Sequence, residues 1–104
     1  MEITTSYSSG RLILHLSGEL DHHGAKGAMD KIEGYLEKYM PRDAVLDLAG
    51  LTFMDSSGIG VILGRYRILR DRGGKMAVCH MNPHIARIFH MSGMDRIIPE
   101  LDRA

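Results

Sequence analysis

Residues 51–66, L-T-F-M-D-S-S-G-I-G-V-I-L-G-R-Y, change secondary structure within a few positions. The apolar start reads as the end of a buried strand, and Asp55, Ser56 and Ser57 make a polar turn. Ile59, Ile62, Leu63, Tyr66 and Leu69 then recur at helical spacing, giving a helix from about Ser57 to Asp71. A strand that runs straight into a helix cannot form a tight hairpin with its successor. The next strand has to return parallel, by a crossover.

The flanking sequence repeats this alternation. Ile3 to Tyr7 and Arg11 to Leu16 read as two strands joined by the Ser8-Ser9-Gly10 turn, which makes them an antiparallel hairpin. From about His23 to Tyr39, Ala25, Ala28, Met29, Ile32, Leu36 and Tyr39 mark one helical face, opened by Asp21 or His22 and followed by Pro41. Ala44 to Leu48 is a short apolar run of the kind found in central strands. After the second helix, whose Arg65, Arg67, Arg70 and Arg72 are expected to form a solvated basic face, Gly73-Gly74 stops the chain. Met76 to His80 is a further strand, and Asn82-Pro83 caps a third helix over His84 to Met91. Gly93 ends that helix, and Ile97-Ile98 reads as a last strand. The order is β-β-α-β-α-β-α-β, an α/β fold with a mixed sheet and packed helices.

Thirteen basic and thirteen acidic side chains cancel, so no general field attracts nucleic acid or an anionic membrane. No apolar run approaches the ~20 residues of a membrane span. Met1-Glu2-Ile3-Thr4 lacks the regions of a signal peptide, and a lone Cys79 cannot form an internal disulfide. A cytoplasmic protein is the expectation, with Cys79 a buried apolar thiol.

Ser56 and Ser57 stand at a helix start, where free N–H groups and the dipole favour an anion. A serine there is a cap, a phosphate anchor or a phosphate acceptor. Capping, worth ~1 kcal/mol, is expected of one of the two, and it does not preclude phosphorylation. Gly58, Gly60 and Gly64 imitate a dinucleotide loop, but they lie inside the helix, and His80 stands where an acidic residue is required. Close helix–sheet packing, with backbone bared to a partner, explains them better. Asp21-His22-His23 suggests a metal ligand set. Adjacent side chains diverge, however, and His84 and His90 share no helical face, so no metal site is expected. A hydrolytic set of Ser56, His22 and Asp21 lacks the G-x-S-x-G elbow.

The run F-M-D-S-S-G-I-G-V-I-L-G-R-Y, with L-S-G-E-L-D-H-H before it and M-S-G-M-D-R-I-I after it, resembles the anti-sigma factor antagonists, a group of STAS domains. The L-S-G-E-L-D-H-H block points to the sporulation subgroup, and the resemblance extends over residues 10–98. It implies a single STAS domain over 1–104 that is neither an enzyme nor a cofactor carrier. It implies that Ser56 is the phosphorylated residue. The unphosphorylated form would bind an anti-sigma factor that is also an ATP-dependent serine kinase, releasing a sporulation sigma factor of the sigma-F type. Phosphorylation would end the binding, and a metal-dependent serine phosphatase would restore it, with neither DNA binding nor membrane insertion. A STAS module in another partner-switching pathway, of general stress or phosphatase regulation, is the alternative. Family members often carry a further C-terminal helix, whereas this chain stops at Ala104. A phosphate adds roughly −1.5 to −2 charge beside Asp55, and strands two and three lie together in the family's sheet. The expected partner surface is therefore Asp21, His22, Asp55, Ser56, Ser57 and Gly58.

Overall fold

The structure is a computed structural model describing residues 1–104. The elements run β1 (Glu2–Ser8), β2 (Arg11–Leu20), α1 (Ala25–Tyr39), β3 (Asp43–Met54), α2 (Ser56–Asp71), β4 (Lys75–Cys79), α3 (Pro83–Met91) and β5 (Glu100–Leu101). A 3-10 turn, Met94–Arg96, precedes β5. The expected order is present. The five strands form one sheet in the order β1-β2-β3-β4-β5, with β1–β2 antiparallel and the other pairs parallel.

Alternation on the strands decides which pleat is buried. Leu12, Leu14 and Leu16 of β2, Ala44, Leu46 and Leu48 of β3 and Met76 and Val78 of β4 share one core with the inner faces of all three helices. Ala28, Ile32 and Leu36 come from α1, Val61, Ile62 and Leu69 from α2, and Ile85 and Phe89 from α3. The opposite pleat of the same strands carries His15, Asp47 and Cys79, which pair across neighbouring strands.

Several boundaries differ from the sequence reading, each for a local reason. β2 and β3 run on to Leu20 and Met54, because β3 absorbs extra residues as bulges. It spends Asp47 to Gly50 opposite His15 to Ser17, and Leu51 to Phe53 opposite Gly18 to Glu19. Gly50 sits at one shift, where a Cβ would come 2.7 Å from Ser17 Cβ. Neither Asp21 nor His22 caps α1. The helix begins after Gly24, whose N–H donates to Asp21 Oδ1 at 2.8 Å in a turn ahead of it.

Ile97 and Ile98 are not a strand. Gly93 adopts φ +82°, the 3-10 turn follows, and Ile98 N–H donates to Met94 O at 2.8 Å, which drives Ile98 into the core. The last strand forms only after Pro99. Arg65 leaves the expected solvated face as well. It is buried between α1 and α2, with Nη2 3.0 Å from Glu33 Oε1, while Nε and Nη1 have no hydrogen-bond partner. Asn82 does cap α3, accepting from Ile85 N–H at 2.9 Å, and Pro83 takes the first turn.

Candidate functional site

Strands β2 and β3 end side by side, with Leu20 paired to Met54. The loops that leave them are therefore neighbours at the same end of the sheet. Asp55, extended at φ −120° and ψ −169°, is the N-cap of α2. Its Oδ1 accepts from Ser57 N–H at 2.9 Å and Gly58 N–H at 3.3 Å. Its Oδ2 accepts from His22 N–H at 3.2 Å. One carboxylate thus satisfies the helix start and fastens the 21–24 turn to it. The cap expected of a serine is supplied by Asp55, since a carboxylate one position earlier in extended backbone reaches the second and third helical N–H groups. Neither serine hydroxyl is committed to capping.

Ser56 occupies the first helical position and is exposed; Ser57 is half-buried. Ser57 lines a shallow groove between the starts of α1 and α2, together with His22, Ala25, Lys26, Met29 and Gly60. Asp21 is half-buried, and His22 is exposed beside it. The Gly24 N–H holds the Asp21 carboxyl below its usual range; partial burial opposes this, and the neighbouring His23 assists. No hydrogen bond joins the Ser56 hydroxyl to His22, and the Asp21 carboxylate serves Gly24, so these three residues form no proton relay.

The close helix–sheet packing expected of the glycines is met at Gly58, which lies beneath the surface rather than bared on it. It is buried, and a Cβ there would meet Met54 Cγ at 2.5 Å and Leu20 O at 2.6 Å. The glycine lets α2 settle onto the ends of β2 and β3, and it shapes the surface from beneath. Gly60 and Gly64 have nothing within 4 Å of such a Cβ, so packing does not require them.

A second polar cluster, which no local spacing announces, lies on the opposite pleat. Asp47 Oδ2 is 2.8 Å from His15 Nδ1, and Asp47 Oδ1 is 2.9 Å from His80 Nδ1. His15 Nε2 is 3.2 Å from Ser6 Oγ. His15 and His80 stand 32 and 33 positions from Asp47 in the chain, so only strand pairing unites them. Burial raises the Asp47 carboxyl, but the hydrogen bonds from His80, His15 and Ala49 N–H outweigh it and hold the group below its usual range. Ser6, His15 and Asp47 are connected like a hydrolytic triad, yet neither concavity of the surface reaches Ser6.

Cys79 is fully buried, and burial raises its thiol, with the Asp47 and Glu100 carboxylates adding to the effect. A protonated, enclosed thiol is a poor nucleophile. Iodoacetamide at neutral pH should leave Cys79 unmodified in the folded protein and alkylate it in denaturant, as read by intact mass. Rapid labelling of the native chain would contradict this burial.

The sheet order and the three helices are those of a STAS domain. The STAS domain family's profile matches residues 2–104, and the chain belongs to that family. It is 43% identical over 102 residues to the anti-sigma F factor antagonist of Paenibacillus polymyxa, spanning 98% of this chain and 87% of that protein. Among solved structures it is similar to the anti-sigma factor antagonist SpoIIAA in its unphosphorylated form, with a TM-score of 0.81 and 27% identity over 96% of this chain and 88% of that one. The Bacillus cell fate determinant SpoIIAA in its phosphorylated form matches with a TM-score of 0.72 and 27% identity, over 96% of this chain and 91% of that one.

Proposed function

We propose that this chain is an anti-sigma factor antagonist whose docking surface is switched off by phosphorylation of Ser56. In the unphosphorylated form it binds an anti-sigma factor that is also a serine kinase, and a sporulation sigma factor of the sigma-F type is released. A serine phosphatase reverses the modification. The surface is Asp21, His22, Asp55, Ser56 and Ser57, with Gly58 beneath it.

The observation that carries the reading is the division of labour at the helix start. Asp55 satisfies the second and third N–H groups of α2, which leaves the exposed Ser56 hydroxyl free to accept phosphate. A dianionic group at a helix N-terminus is tolerated by the dipole. It adds charge beside Asp55, at the centre of a surface that has to approach another protein closely. Like charge and desolvation then oppose docking. The name of the Paenibacillus polymyxa relative supports the sigma-F assignment.

Incubating the protein with the kinase-type anti-sigma factor of the same genome and ATP should place one phosphate on Ser56, read by peptide mass spectrometry. Phosphate found only on Ser57 or elsewhere sinks the site. Recovery of a stress-pathway kinase as the sole binding partner sinks the sporulation assignment while leaving the switch intact.

A further inference from the structure

We propose that Asp47, Cys79 and His80 form a binding site for a divalent transition metal ion of the zinc type. The site lies on the opposite pleat of the sheet and is distinct from the D-S-S-G turn.

Successive residues on a strand face opposite ways, so Cys79 and His80 would ordinarily diverge. His80 is the first residue after β4 and adopts φ +61°. That left-handed backbone, rare for a residue with a side chain, turns the imidazole back over Cys79. His80 Nδ1 then lies 3.5 Å from Cys79 Sγ and 2.9 Å from Asp47 Oδ1. Asp47 and Cys79 are direct partners across β3 and β4 and present their side chains on the same face. The three donor atoms all lie within 4.8 Å of one another. Tetrahedral bonds of about 2.0–2.3 Å separate ligand atoms by roughly 3.3–3.8 Å. The triangle is near that size, and small side-chain rotations close it.

The donor set also selects the ion. One sulfur, one imidazole nitrogen and one carboxylate oxygen suit zinc, cobalt or nickel, whereas magnesium and calcium require oxygen throughout. Supporting groups stand behind the carboxylate. Asp47 Oδ1 accepts from Ala49 N–H at 3.1 Å. With its proton on Nδ1, His15 donates to Asp47 Oδ2 at 2.8 Å, and its Nε2 accepts from the Ser6 hydroxyl at 3.2 Å. Partners of this kind orient metal ligands in known sites. The half-exposed His80 and His15 give access from solvent, while the buried Cys79 closes the inner side. On coordination the Cys79 thiol gives its proton to solvent, and the Nδ1 proton that His80 donates to Asp47 in the free protein leaves through solvent, so that Nδ1 binds the ion and the neutral ring carries its proton on Nε2. The ion replaces the His80–Asp47 hydrogen bond, and water takes the fourth position.

Cobalt(II) titration under anaerobic, thiol-free reducing conditions tests the site. A near-ultraviolet sulfur-to-cobalt charge-transfer band should grow to saturation at about one equivalent. Cys79 is the chain's single cysteine, so the band reports on that residue alone. Zinc should abolish the band by displacement and raise the melting temperature of the parent protein but not of Cys79→Ala. His80→Asn, which tolerates the left-handed backbone, and Asp47→Asn should each weaken cobalt binding at least ~10-fold. His15→Gln should weaken it by about 10- to 100-fold while leaving the band in place. His90→Gln should change nothing. A folded parent protein that shows no band in excess cobalt overturns the proposal. So does a band whose affinity His80→Asn leaves unmoved, because the thiol would then be binding alone.

Discussion

Gly58→Ala should lower the melting temperature of this domain by roughly 10 °C. The added methyl would stand 2.5 Å from Met54 Cγ, 2.6 Å from Leu20 O and 2.9 Å from Leu20 Cγ. Side-chain carbons can give way, but the Leu20 carbonyl belongs to a strand whose residues pair with β3 as far as Met54. Relief therefore has to come from lifting the first turn of α2. Alanine gains ~1 kcal/mol over glycine inside a helix. Overpacking costs about 1–3 kcal/mol and occasionally more, and a fixed carbonyl puts this site at or beyond the upper end. A net loss of ~2 kcal/mol corresponds to about 8–16 °C for a domain of this size. Gly64→Ala is the control. Nothing lies within 4 Å of its added carbon, so the helix gain stands alone and the melting temperature should rise by a few degrees. Calorimetry of the two variants checks both signs. A Gly58→Ala protein that melts with the parent would show that α2 does not seat on the strand ends through this residue.

Ser56→Asp should weaken binding to the anti-sigma factor at least ~100-fold, about 2.7 kcal/mol, with the melting temperature almost unchanged. Both halves come from the same position. A negative charge at the first turn of a helix is stabilised by roughly 0.3–1 kcal/mol, and the adjacent Asp55 carboxylate offsets part of that gain. Exposure of Ser56 means that no packing is disturbed. At the docking surface the balance reverses, because like charge set beside Asp55 costs several kcal/mol once water is excluded. Ser56→Ala should bind as the parent does and resist phosphorylation. Titration calorimetry against the purified anti-sigma factor, paired with thermal melts, separates the two effects. Parent-like binding by Ser56→Asp would remove Ser56 from the switch. A large fall in its melting temperature would remove the helix-terminus argument.

What could be read before folding was what depends on near neighbours. Helical spacing located α1 and α2, and the Asn82-Pro83 cap with the Gly93 stop located α3, because that chemistry is local. Asp55, Ser56 and Ser57 are all good capping types, and only backbone geometry chose Asp55 among them. Close helix–sheet packing was legible for the glycines as a group, but that Gly58 alone requires it was not, since its obligation comes from Leu20 and Met54 at the strand ends. Ile97 and Ile98 carried strand-like hydrophobicity, but the 3-10 turn before them made one a core plug and left the other exposed. Arg65 had the look of its exposed neighbours in a basic run, and the packing of α1, which carries Glu33, against α2 buried it. Asp47, His15 and His80 meet only through sheet register, which leaves no periodic trace in a single chain.

The strand order β1-β2-β3-β4-β5 is also the order of synthesis. Every strand is therefore hydrogen-bonded only to strands that are its neighbours in the chain, and each parallel pair is closed by a single crossover. No pairing has to span an intervening strand, which keeps the loops closed on folding short and favours fast folding for a sheet of mostly parallel strands. The Asp55 clasp keeps to the same economy: it joins residues 33 positions apart, across one crossover.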